Sequence, residues 1–143
     1  MNTKGLIYAA NMTNILAKEV PESCWDLKLV TELGTLRKLF THMIRVRDVY
    51  RDGLKTGIIQ FPGELPLNES SITYELERST DELVAEFKQA KFESIKMGPG
   101  DLTTMELLAT AIQHEGIHQG QYAVAFKQSG LTLPKQWVQD WRM

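Results

Sequence analysis

The chain has a single cysteine, Cys24. One thiol cannot close an internal disulfide or build a cysteine-based metal site, and its use fits a reducing compartment. No apolar run approaches the ~20 residues of a membrane-spanning helix. The opening Met1–Gly5 leads into no apolar stretch with a cleavage site behind it. These absences predict a cytoplasmic protein with no membrane partner. Neither sign of charge dominates, since 16 Lys and Arg face 18 Asp and Glu, for a formal net charge of -2. Without a positive field nothing draws the chain onto a phosphate backbone, so no nucleic-acid partner is expected. Prolines number 5 and glycines 10, gathered in a few clusters, while strand signals, internal repeats and low-complexity tracts are lacking.

What remains is ordinary globular material, 43% hydrophobic and 24% charged, in 143 residues that suit one domain. Long uninterrupted stretches between the Pro/Gly clusters read as helices. The first, roughly Lys4 to Lys18, spaces Leu6, Ile7, Ala10, Thr13 and Leu16 near helical period and runs out before Pro21. A second spans about Leu33 to Lys55 and stops before Gly57. Gly57 to Asn68, with Pro62, Gly63 and Pro66, reads as a loop long enough to cross the molecule. A third helix covers about Ser71 to Lys91, and Gly98-Pro99-Gly100 then breaks the chain. The fourth opens on a capping box, Thr103 with Glu106, and runs to Ser129 before Gly130. Trp137 and Trp141, spaced i, i+4 behind Pro134, stack on one face of a short tail. Four amphipathic helices bury their stripes against one another most simply as an all-α four-helix bundle.

The histidines are three, His42 in the second helix and His114 and His118 in the fourth. Residues four apart differ by about 40° around a helix, so His114 and His118 project from one face. Leu107, Ala111, Tyr122 and Ala125 fall on that side of the fourth helix, which predicts that the two histidines are buried. His42 lies among Leu39, Val46 and Val49, with Lys38 and Arg45 marking a polar border through which a pocket could open. Setting the second helix beside the fourth brings three imidazoles together at the bundle core, as three ligands with an open position. Spacing alone leaves this reading and simple core packing both open.

His114-Glu115-Gly116-Ile117-His118 also matches the H-E-x-x-H pattern of zinc peptidases literally. No histidine or glutamate follows His118, however, and there is no length for a second lobe around a peptide cleft. A metal-dependent hydrolase is therefore a minor alternative, and Glu115 is expected to be solvated or to lie behind the ligands. Gln121 and Tyr122, one turn beyond His118, are candidates for substrate contact or for packing, and Cys24 is expected to pack beside Trp25.

One histidine in the second helix and an H-x-x-x-H pair in the last, continued here by Gln119-Gly120-Gln121, resembles the DinB/YfiT-like family of small bacterial four-helix bundles. That family is named for induction by DNA damage, a statement about gene regulation, and is unrelated to the polymerase of the same name. The resemblance implies a divalent metal, typically nickel or zinc, held by His42, His114 and His118, often in a homodimer. Related branches include thiol transferases that use bacillithiol or mycothiol. It therefore suggests a metal-dependent thiol S-transferase acting on a small molecule, with a non-catalytic metal-binding or scaffolding bundle as the alternative. Phe40 and Ile44 point away from the His42 face, and this two-sided apolarity of the second helix is a second reason to expect a homodimer.

Overall fold

The structure is a computed structural model that describes residues 1–67 and 71–142. Four long helices carry it: α1 (Lys4–Glu19), α2 (Leu36–Thr56), α3 (Ile72–Lys88) and α4 (Thr104–Ser129), followed by a short α5 (Lys135–Trp141). A 3-10 turn at Glu22–Cys24 interrupts the connection from α1 to α2. The second helix starts three residues later than its apolar pattern suggests. Thr35 caps it by accepting from the Lys38 amide, and the chain before it is pinched by a bridge between Val30 and Gly34. Gly57, with φ 85°, ends it in the left-handed conformation that glycine adopts without a Cβ penalty. The capping box at α4 is formed in both directions, between Thr103 and Glu106.

The fold is not all-α. Three short strands, β1 (Ile58–Ile59), β2 (Ser94–Met97) and β3 (Gly100–Thr103), form a sheet in the order β1-β2-β3. The break at Gly98-Pro99-Gly100 lies at the turn of an antiparallel hairpin, and β1 adds in parallel to β2. Strands of two and four residues are too short to display a period of two. Only Ile59 and Ile95 of this sheet are fully buried, so the sequence shows no strand signal there.

Two apolar clusters fill the bundle. One gathers Met12, Leu16, Phe40, Ile44, Leu76, Phe126 and Trp137, and the other Leu6, Val49, Leu54, Leu83, Phe87, Ile95 and Leu107. Each of the four helices passes from one cluster to the other. Along the chain α2 and α3 pass in the same sense, as do α1 and α4 in the opposite one. The connection from α2 to α3 must therefore travel back along the bundle, as the Pro/Gly-rich segment suggests. Asn68, where the sequence places that segment's end, lies outside the described residues. α2 packs against α3 and α4, and α1 against the same two.

Phe40 and Ile44 are completely buried within the chain, Phe40 with its ring edge-on to Trp25 at 5.0 Å. The second apolar face of α2 is thus covered without a second copy, which removes that argument for a homodimer. Trp137 is also fully enclosed, donates from Nε1 to the Met12 carbonyl at 2.8 Å and lies 4.9 Å from Trp141, so the tail docks as its spacing predicts.

Candidate metal centre

The seam between α2 and α4 brings the three histidines together. The Nε2 atoms of His42 and His114 are 3.0 Å apart, those of His42 and His118 3.2 Å, and those of His118 and His114 3.2 Å. Nitrogens about 2.1 Å from one shared ion stand roughly 3.0–3.4 Å apart when they occupy one face of its octahedron or tetrahedron. The triangle meets that requirement, and the three side chains could hold a metal ion. The Gln121 amide oxygen, 3.0 Å from His118 Nδ1, holds the proton of a neutral His118 ring on that atom. That contact leaves the Nε2 lone pair facing the other two rings. Desolvation lowers the His114 pKa to about 3, with the charges of His118, His42 and Arg47 acting in the same direction. His42 is lowered as well, first by desolvation, then by His118 and Arg45, with Glu115 opposing. Both rings are therefore neutral at pH 7, the state in which imidazole binds a metal.

The triangle is not at the bundle core. His42 is exposed and His114 and His118 are half-buried, while the inward positions beside them belong to a polar layer that the sequence reading missed. At its centre Arg47 donates from Nε to Glu115 Oε1 at 2.6 Å and from Nη2 to Oε2 at 3.1 Å, both side chains being 3% exposed. Thr13 donates to the same carboxylate at 2.6 Å. Arg47 Nη1 reaches Asn14, the Leu76 carbonyl and Thr80, and Gln119 donates to the Ala9 carbonyl and to Thr13. Glu115 is thus neither solvated nor free to act as a base, since both its oxygens are engaged inside the bundle. A helix turns about 100° per residue, which is how His114 can face the seam while Glu115 faces inward. The signal available in the sequence was the polar residue each helix carries midway along its apolar stripe: Thr13-Asn14, Arg47, Ser79-Thr80 and Glu115.

Leu107, Ala111, Tyr122 and Ala125 are buried as expected. Tyr122 reaches the Leu33 and Thr35 carbonyls with its hydroxyl, anchoring the segment before α2, and Gln121 holds His118. Cys24 packs at the margin of the cluster that contains Trp25. Over the His42–His118 side of the triangle lies an open cleft of about 830 Å³, bordered by Lys38, Arg45, Leu65 and Tyr122.

The sequence matches the DinB family over residues 6–139. The chain belongs to the DinB family. Its fold is similar to that of a DinB-like protein from Bacillus subtilis, YjoA, with a TM-score of 0.74 at 22% identity over 92% of this chain and 94% of that one. At that identity the likeness speaks for the fold. Comparison with curated proteins gives no match. In this DinB chain the three histidines singled out in the sequence are the ones whose ring nitrogens converge. Among the described residues no helix is long and apolar enough to cross a membrane.

Proposed function

We propose that this protein is a metal-dependent enzyme in which His42, His114 and His118 ligate one divalent transition metal, with nickel or zinc as the favoured ions. The carrying observation is the triangle of Nε2 atoms at 3.0–3.2 Å beside an open cleft. Three protein donors with access from one side suit a site that admits a further ligand. A bound divalent ion supplies Lewis acidity that lowers the pKa of a thiol brought to it. The reaction class this favours is thiol S-transfer, with a low-molecular-weight thiol such as bacillithiol as co-substrate. The thiol sulfur bonds to an electrophilic carbon, the leaving group departs with its electron pair, and the thiol proton passes to solvent. The chain's own contribution is to aim His118 through Gln121, to keep His114 neutral by burial, and to wall one side of the cleft with Leu65 and Tyr122.

The alternative of a non-catalytic metal-binding bundle draws on the same geometry, because the donors come from two helices and an ion would tie α2 to α4. Hydrolysis with Glu115 as base is disfavoured by that carboxylate's burial against Arg47. The deciding experiment combines elemental analysis of tag-free protein with an assay of bacillithiol and an alkylating reporter such as monobromobimane. About one equivalent of metal, and turnover lost on chelation and in His118→Ala while the helical fold persists, support the enzyme. Metal without turnover, with chelation chiefly lowering Tm, supports the bundle.

A further inference from the structure

The metal cleft holds an arginine without an anion. Five arginines lie on α2 and α3, and four are paired with carboxylates: Arg37 with Asp26, Arg47 with Glu115, Arg51 with Asp48, and Arg78 with Asp48 and Glu75. Arg45 has no acidic partner among the described residues. Its Nη2 donates to the Gly63 carbonyl at 3.1 Å, and its Nε is buried with no partner among the described residues. Arg45 is half-buried at the cleft, and a guanidinium whose one acceptor within the described chain is a neutral carbonyl keeps donors and a full charge available to a ligand there.

The side chain is held rather than loose. Gly63 has φ 73°, and a Cβ there would stand 2.5 Å from Val49 Cγ2, so the loop presses on α2 at this point and sets its carbonyl against Arg45. Arg45 follows His42 by three residues and Lys38 precedes it by four, which places all three in one row along α2. All three border the cleft, and Lys38 has no ion pair among the described residues. Of the acidic residues on the rim, Asp26 is occupied by Arg37, leaving Glu32.

We propose that the cleft takes a small molecule bearing a carboxylate, received by Arg45 with Lys38 nearby, while the molecule's reactive end lies at the His42–His114–His118 triangle. This rests on the metal-site reading above and adds to it the substrate class. Two cations set against one free carboxylate match a singly charged group better than a doubly charged phosphate. The Arg45 fork also supplies the planar donors that a carboxylate accepts.

The test reads binding rather than turnover. Cobalt(II)-loaded protein is titrated with 3-mercaptopropionate and with 3-mercapto-1-propanol, which have the same chain length and differ in charge, following the thiolate-to-cobalt absorption band. The acid should bind about tenfold more tightly, and added salt should erode that preference. In Arg45→Gln the preference should fall to within about twofold while the alcohol's affinity holds, and Lys38→Gln should have a smaller effect in the same direction. Equal affinities in the unaltered protein overturn the proposal without recourse to a variant. A preference that survives Arg45→Gln with the cobalt spectrum intact also overturns it. If cobalt gives no spectrum with any form of the protein, the metal reading fails first and takes this proposal with it.

Discussion

His118 is fixed on both sides of its ring, by Gln121 at Nδ1 and by two other imidazoles around Nε2. Removing it in His118→Ala leaves two donors, and metal content should drop from about one equivalent to roughly a tenth or less, as read by elemental analysis. Gln121→Ala keeps all three donors but frees the ring. Metal affinity should then fall about 10- to 100-fold in competition with a chromophoric chelator. Acidity acts on the same nitrogens. His114 titrates at about 3 in the folded protein and near 6.5 when unfolded, so between those values the unfolded chain binds more protons. The stability contributed by this group is complete above about pH 6.5 and is lost as the pH falls toward about 3. Urea midpoints of metal-free protein at pH 7 and pH 5 should show the decline. The three histidines were legible in the sequence. The task of Gln121 was not, because a glutamine one turn past a ligand can face a substrate or the ligand itself, and helical spacing does not separate the two.

At the scale of the elements, the polar layer decides how α2 and α4 sit. Arg47 and Glu115 are enclosed between the two apolar clusters, and each helix contributes a hydrogen-bonding residue at that level. Breaking such a pair leaves a buried charge unmatched. Glu115→Ala should therefore destabilise the fold by about 3–5 kcal/mol, whereas Arg47→Met with Glu115→Leu should recover most of that loss. Urea unfolding of both variants checks the pair; equal losses would show that packing, and not the unmatched charge, sets the cost. At the start of α4, Thr103→Ala removes the cap and should cost about 1 kcal/mol. That cap was readable residue by residue because it is a local motif. The Arg47–Glu115 pair was masked by the H-E-x-x-H match, which drew Glu115 into a catalytic pattern that its burial contradicts.

Across the whole molecule, a metal held by ligands from two helices binds the folded state and not the unfolded one. Stripping it should lower Tm by an amount that grows with the concentration at which metal is restored, which scanning calorimetry follows. Pairing of two copies stands as a proposal on faces other than the enclosed Phe40 and Ile44, with Ile117 and Val124 exposed on α4. Light scattering at the mass of two chains supports it, and 16.3 kDa ends it.

The sequence by itself determined the local terms: four helices from period 3.6, their caps at Thr103 and Gly57, the docking tail, and a metal-type set of three histidines. The helices, the caps and the His114–His118 pair depend on residues within a turn or two of each other, whereas His42, 72 positions from His114, joined the set through the resemblance to a family pattern. Tertiary structure alone decided that the histidines line the outer seam while Glu115 turns inward, that short strands pair beside the bundle, and that Arg45 meets the cleft with no acidic partner among the described residues. The physical reason is that helical period fixes which residues share a face but not how one helix is rotated against another. That rotation is set by long-range contacts such as Arg47 with Glu115, 68 positions apart.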